Sequence, residues 1–459
     1  MATSKVAGDG VSLRSMLFKQ FVDEDLGCAS YLVGDEEAGE AAVVDPAYEI
    51  EPYLEAAQHH GVEIKRVLET HTHADHVSGH GRLALEHRLP VAIHPAAEPE
   101  FDFEPLEDGA EVELGQVAIR VIHTPGHRPE HCAFAVIDRS RGDEPWLTMT
   151  GDSLFVGDAA RPDLAVEAQE GAQGLYRSLH RLLELHDGVE VYPGHVSGSL
   201  CGAGMSSKAS TTIGFERRFN HRLSLAAEEE FVAEFADPGL RPPNMERIVA
   251  LNRGPFVGAS APLERVSASD GTTILDVRPA KAFAEGHPHD AVNVPVGGSQ
   301  FPTRAAFVLD PDDQIILHGS QEEVERAARG LRAVGFLELA GHLEADADAD
   351  TLEPIGLEEL ERLLASGHVQ LVDVREKEER DESYIPESRH IPYRRVRDFA
   401  EELGGDGTVV TICQTGARAS LAASILAAEG VTARPVITGG VPDWEAAGKP
   451  TASFRRCGS

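Results

Sequence analysis

Residues 70–76 read Thr-His-Thr-His-Ala-Asp-His, and this run constrains the chain more than any other feature. It places His71, His73, Asp75 and His76, four side chains able to ligate a metal, in one short segment. Residues 66–69 before it read as the end of a strand, and residues 77–81 after it begin a loop or helix. A strand end followed by a tight turn aims alternate side chains into one pocket. Imidazoles and a carboxylate converging there suit a first-row transition metal.

The partners arrive in order. His123 and His127 flank Thr-Pro-Gly after the apolar run 117–122, Gly151-Asp152 follows 146–150, and Gly194-His195 follows 189–192. Each stands just past an apolar run, so each is expected at the same edge of a sheet. By physical type, His71, His127 and Asp152 supply two imidazoles and one carboxylate, the open face of non-haem Fe(II) oxygen chemistry. His73, Asp75, His76 and His195 could equally complete a second metal site bridged by Asp152, which suits hydrolysis by a metal-bound hydroxide. The local pattern leaves both open.

At 459 residues the chain exceeds one ordinary domain, and two or three are expected. A net charge of −36 argues against nucleic acid and against anionic membrane surfaces as partners. No apolar run approaches a membrane span, and the N-terminus has no signal-like apolar core. The five cysteines, Cys28, Cys132, Cys201, Cys413 and Cys457, form no CxxC pair. A sparse, odd set predicts reduced thiols and a cytoplasmic protein. Of these, Cys28, Cys132 and Cys457 have no evident constellation. His59, His60, His80, His87 and His94 read as surface or structural residues.

After His195 comes a Gly/Ser-rich loop, then a charged helix-like stretch over 215–235 and a short helix over 244–252; residues 254–262 form a linker. Beyond it lies an internal repeat. Residues 273–278 (TILDVR) and 370–375 (QLVDVR) match, as do the strands 314–317 and 408–412 and the Ala-rich helices after them. Short apolar strands alternating with helices indicate parallel α/β domains. Residues 344–350, acidic and small, link the repeats.

In the second repeat Cys413 lies between a strand and a helix, followed by Gln414, Thr415, Gly416, Ala417 and Arg418. A thiol at a helix N-terminus meets unpaired N–H groups and the positive end of the dipole, which favour a thiolate and a persulfide anion. Arg418 adds a guanidinium for anionic substrates. Counting back from Gly335 and Gly430, His318 falls where Cys413 lies, so the first repeat lacks a nucleophile.

The five spaced histidine and aspartate motifs resemble the metallo-β-lactamase superfamily, which implies an αββα sandwich with the metal at one edge of its sheets. The two repeats resemble rhodanese domains, the second also through Gly439, Gly440, Trp444, Gly448 and Pro450 and the Cys-x4-Arg loop. The expected architecture is therefore α/β throughout: a metallo-β-lactamase domain over 1–254, an inactive rhodanese-like domain over 260–346 and a catalytic one over 354–455, both with parallel sheets. Within the superfamily the motifs, with Arg161 and Asp163 past the Asp152 loop, look like persulfide dioxygenases. That resemblance implies one Fe(II) per chain on His71, His127 and Asp152, with His73, Asp75, His76 and His195 behind the ligands. Iron suits the task because triplet O2 reacts sluggishly with closed-shell sulfur and Zn2+ has no redox chemistry.

The implied partners are a low-molecular-weight thiol persulfide, O2, and sulfite or thiosulfate; a homo-oligomer is common for such folds. Arg161, Asp163 and Cys201 are candidates for the substrate pocket. Glyoxalase II, a binuclear zinc thioester hydrolase, shares nearly all the metal residues, but its C-terminal glutathione-gripping helical domain is not evident here. A sulfur-relay scaffold with a purely structural metal domain is the non-enzymatic alternative.

Overall fold

The computed structural model describes residues 16–162, 167–196, 206, 208–225, 227–235, 241, 243–267, 271–298, 300–343, 350–367, 369–405 and 407–454. The chain divides into two compact units, Met1–Ala259 and Ser260–Ser459.

The first unit is a sandwich of two six-stranded sheets. One holds β1 to β6 in chain order (Met16–Val22, Ala29–Asp35, Glu40–Val44, Glu63–Leu68, Val91–Ile93, Glu104–Pro105). The other holds β7 to β12 in sequential order (Glu111–Leu114, Val117–His123, Cys132–Asp138, Leu147–Gly151, Glu190–Pro193, Thr211–Thr212). Alternating side chains face opposite ways along a strand. Tyr31 and Val33 accordingly meet Ile119, Val121, Phe134 and Met149 between the sheets. Leu32 turns outward against Tyr53 and Ala56 of the helix Glu51–His60. On the far side, Ala133 and Ala135 pack under Leu175, Leu179 and Leu182 of the helix Ala168–Leu182. This is the expected αββα layering.

Strand polarity builds the site. β8 and β10 are each antiparallel to β9, and β11 is parallel to β10. The C-terminal ends of β8, β10 and β11 therefore share one edge. The segment after β4 joins them, because Cys132 N–H donates to the Thr70 carbonyl at 2.8 Å. The helix-like stretch 215–235 is broken into Ile213–Phe219 and Glu228–Phe235. The break falls at buried Asn220, whose amide donates inward to Glu216 at 2.7 Å and to the Asp158 carbonyl at 3.0 Å.

The second unit holds two four-stranded parallel sheets of the same order. The first is β14-β13-β15-β16 (β13 Thr272–Asp276, β14 Val292–Asn293, β15 Gln314–His318, β16 Gly341–His342). The second is β18-β17-β19-β20 (β17 Val369–Asp373, β18 Arg389–His390, β19 Thr408–Ile412, β20 Ala433–Pro435). Their registers correct one expectation. Asp276 pairs with His318, and Asp373 pairs with Ile412. His318 thus matches Ile412, and Gly319 takes the place of Cys413. From Ile412 the chain runs four residues to the helix N-cap Gly416; from His318 it runs two to the N-cap Ser320. Counting from the helix ends missed this because the loop before the first repeat's helix is two residues shorter, which that helix's one extra residue, 13 against 12, only half offsets.

Candidate metal centre and candidate sulfur-transfer loop

His71, His127 and Asp152 are buried together, with their potential ligand atoms all within 4.8 Å of one another. Each is aimed by a partner on its far side. Thr70 Oγ donates to Asp45 at 2.8 Å and meets His71 Nδ1 at 2.9 Å. Having spent its proton on Asp45, Thr70 accepts from Nδ1–H, which leaves the His71 Nε2 lone pair facing the site. His127 Nδ1 donates to the Arg161 carbonyl at 2.9 Å, so its Nε2, 3.7 Å from Asp152 Oδ2, is free in the same way. Burial and the neighbouring charge of His73 hold the His71 pKa well below the usual histidine range, and burial lowers that of His127. Two neutral imidazoles with inward lone pairs beside a carboxylate fit a divalent first-row metal.

The remaining predicted residues surround this face. His195 Nδ1 lies 2.8 Å from Asp152 Oδ1, and its Nε2 lies 2.7 Å from Asp75 Oδ2. Both ring nitrogens of His195 are thus engaged by carboxylates, one of them the Asp152 of the three-residue face. Burial opposes the Asp152 charge, but His195 and His127 outweigh it and lower the pKa to about 2. His73 Nε2 sits 3.3 Å from Asp45 and 3.2 Å from Glu69. Burial disfavours its protonation, yet these carboxylates raise its pKa to about 10. His76 Nδ1 meets Asp75 at 3.1 Å. Arg161 enters the site through its backbone carbonyl. Asp163 and Cys201 lie outside the described residues, as does Cys457.

Three residues, Cys28, His131 and Asn252, escaped the sequence. Cys28, expected to stand apart, has Sγ 3.3 Å from His195 Nε2 and 3.5 Å from both His76 Nδ1 and Asp75 Oδ2. A bridge pairing of Cys28 with His195 brings it there from 167 positions away, and no local pattern announces that. His131 accepts from Asp152 N–H at 2.9 Å and fixes the carboxylate's backbone. Asn252 donates to the carbonyls of His73 and His76 at 3.0 and 2.8 Å and accepts from Ser78 N–H, which pins the histidine loop. Gly194 is obligatory because a Cβ there would lie 2.5 Å from Asp152 Oδ1.

The second unit presents a thiol. Cys413, 1% exposed, follows β19, and Gly416 N–H points at its sulfur at 3.1 Å. Gly416 has φ 101°, and a Cβ there would lie 2.5 Å from the Ile437 carbonyl. Gly440 is equally constrained, since a Cβ would meet the Cys413 and Gln414 carbonyls at 2.4 and 2.2 Å. Gln414 and Thr415 are exposed at the loop's tip, and Ala417 opens the helix. Arg418 differs from expectation. Its guanidinium forks Glu379 through two bonds of 2.5 and 2.6 Å, so an internal carboxylate already balances its charge.

A buried face of two histidines and one carboxylate at the edge of an αββα sandwich is the candidate metal centre of a metallo-β-lactamase fold. Family models agree: residues 23–195 match the metallo-β-lactamase superfamily, and residues 261–346 and 356–447 each match the rhodanese-like domain. The mitochondrial persulfide dioxygenase of Homo sapiens is 30% identical over 234 residues, covering 50% of this chain and 84% of that protein. A hydroxyacylglutathione hydrolase of Synechococcus sp. is 34% identical over 170 residues, 36% of this chain and 63% of its own. A solved metallo-β-lactamase of Staphylococcus aureus is 27% identical with a TM-score of 0.66, covering 72% of this chain and 98% of that one. The chain belongs to the metallo-β-lactamase superfamily, with persulfide dioxygenases among its relatives, and carries two rhodanese-like domains after the metal domain. No described helix is long and apolar enough to cross a membrane.

Proposed function

We propose that the chain is a persulfide dioxygenase joined to a sulfurtransferase. The metal domain would convert a low-molecular-weight thiol persulfide, O2 and water into the thiol, sulfite and protons. Cys413 would pass sulfane sulfur to or from sulfite and thiosulfate. The observation that carries this reading is His195, whose two nitrogens are both taken by carboxylates. With His195 so engaged, His71, His127 and Asp152 would serve as the three-ligand face. Fe(II) held there, one per chain, would supply the redox chemistry that lets triplet O2 react with sulfur.

The chain's own residues do the rest. Thr70 and the Arg161 carbonyl hold the two imidazoles in the ligating tautomer. His195 keeps one Asp152 oxygen engaged so that the other faces the site. In the second unit the Gly416 N–H favours negative charge on the Cys413 sulfur. Reduced Cys28, Cys132 and Cys413 suit a cytoplasmic setting.

A second reading, a binuclear zinc thioester hydrolase, draws on one observation. Cys28, Asp75 and His76 form a second group of metal-ligating type near the first. Elemental analysis of anaerobically purified protein separates the two. One iron per chain, lost in His127→Ala, is expected; two zinc ions per chain would overturn the dioxygenase reading.

A further inference from the structure

The second unit's two repeats meet along the helix that carries Arg418. Asn293 of β14 receives a hydrogen bond from Ser420 Oγ at 2.7 Å, and its backbone N–H donates to Ser424 Oγ at 2.9 Å. Further along the first repeat, the helix Phe301–Ala306 ends at Phe307, whose ring lies 6.4 Å from that of Tyr393 in the second repeat. Arg304 precedes Phe307 by three positions, so both lie on the helix face turned to Tyr393.

Arg304 is half-buried, and its guanidinium has neither ion pair nor hydrogen bond among the described residues. The same holds for the buried Tyr393 hydroxyl. An unpaired, partly desolvated guanidinium is costly unless something anionic visits it. The groups acting on it through space are Arg418, Tyr393, Cys413 and Glu379, which are the parts of the sulfur-transfer site. Burial, and then Arg418, lowers the Arg304 pKa, while Tyr393 and Cys413 act the other way. Arg418 cannot serve as the anion's main counter-charge, because Glu379 already forks it.

We propose that Arg304, from the repeat without a nucleophile, together with the Tyr393 hydroxyl, binds the oxoanion end of an inorganic sulfane donor or acceptor at Cys413. The assignment rests on the sulfurtransferase reading above. In the step it serves, the Cys413 thiolate attacks the outer sulfur of thiosulfate. A Cys413–sulfur bond forms, the sulfur–sulfur bond of thiosulfate breaks, and its electron pair leaves with sulfite. Reactants and products each carry three negative charges: thiolate plus thiosulfate before, cysteine persulfide anion plus sulfite after. No proton or outside oxidant is needed. Arg304 would hold the sulfonate oxygens before the step and the departing sulfite after it. The reverse step takes sulfite in at the same place. The first repeat is then silent in nucleophile only; it supplies half of the anion site.

The test is thiosulfate:cyanide sulfurtransfer by the full chain carrying Arg304→Gln, Arg304→Lys or Tyr393→Phe. A charge-assisted contact is lost in Arg304→Gln, so KM for thiosulfate should rise roughly ten- to a hundred-fold with kcat changed far less. Arg304→Lys should recover part of the loss, and Tyr393→Phe should raise KM by a few-fold. Loading of Cys413 by 2-mercaptoethanol persulfide, a donor without an oxoanion, should stay within two-fold of wild type in every variant; this also shows that the site is folded. An unchanged thiosulfate KM in Arg304→Gln, or an equal loss with both donors, overturns the assignment. If wild type accepts sulfur at Cys413 from neither donor, the sulfurtransferase reading itself fails and takes the assignment with it.

Discussion

In the first repeat Arg278 grips Asp276 at 2.6 Å and donates to the Gly286 carbonyl at 2.7 Å; in the second, Arg375 grips Asp373 at 2.7 Å and donates to the Ser383 carbonyl at 2.7 Å. The equivalence continues along the chain. Val294 and Ile391 donate to the carbonyls of these aspartates, and Val296 and Tyr393 to the carbonyls of the valines that follow them. What differs lies past the central strand. Two extra residues carry the second repeat around Cys413, whereas the first turns directly into its helix at Ser320, closed by a capping box with Glu323. The Asp-Val-Arg segment is therefore a scaffold clamp common to both repeats. The proposed sulfur transfer relies on the longer loop and the glycines that let it close, Gly416 and Gly440.

The largest effect expected from breaking this contrast is at the thiol. Cys413→Ser should reduce sulfurtransfer by roughly a thousand-fold or more, since serine is a far weaker nucleophile at neutral pH. Persulfide-dependent O2 uptake should persist, and the oxidised product should shift from thiosulfate toward free sulfite. Quantifying both anions after a persulfide pulse, with mass analysis of Cys413, checks this; an unchanged ratio with no label on Cys413 would leave two uncoupled activities at most.

The clamp should matter to stability in both repeats. Asp373→Ala strands Arg375 and Arg380, and Asp276→Ala strands Arg278, each at a buried aspartate. Each should cost about 3–5 kcal/mol, with Asp373 the larger because it holds two guanidinia. Thermal unfolding of the full chain reads this, and a marked loss in one repeat alone would show that the clamps are not equivalent.

The loop glycines sharpen the comparison further. Gly416→Ala forces a Cβ against the Ile437 carbonyl at φ 101°, and should cost about 1–3 kcal/mol together with most of the sulfurtransfer. Gly319→Ala meets only the Val277 methyl at 3.0 Å and side-chain atoms of Glu323 beyond that, so its effect on transfer should be small. The smallest effect is expected of His318→Ala. His318 ends a buried strand opposite Asp276, and both activities should stay within a few-fold of wild type. A large loss of transfer at unchanged stability would contradict that.

Much of this was legible beforehand because it is local. The histidine loop follows β4 directly, and Cys413 sits between one strand and one helix, so apolar runs and short motifs located both. Contacts made by distant segments left no such trace. Cys28 reaches His195 only through a pairing between segments far apart in the chain. Asn252 pins a loop more than 170 positions earlier. Glu379 takes Arg418 across 39 positions, where the motif suggested a free guanidinium. The first repeat's loop was misplaced by one residue because distance from the helix end, which changes with loop and helix length, stood in for strand register, which the sheet fixes.

The central claim is that the buried face of His71, His127 and Asp152 supports oxidation of sulfur by O2. An oxygen electrode tests it most directly, with Fe(II)-loaded full chain, glutathione persulfide as the probe, and His127→Ala as the control. One O2 should be consumed per persulfide, with sulfite appearing in step, and uptake should fall to the blank rate in His127→Ala. Blank-rate uptake by the wild type, in protein that hydrolyses a glutathione thioester and carries two zinc ions, would contradict it.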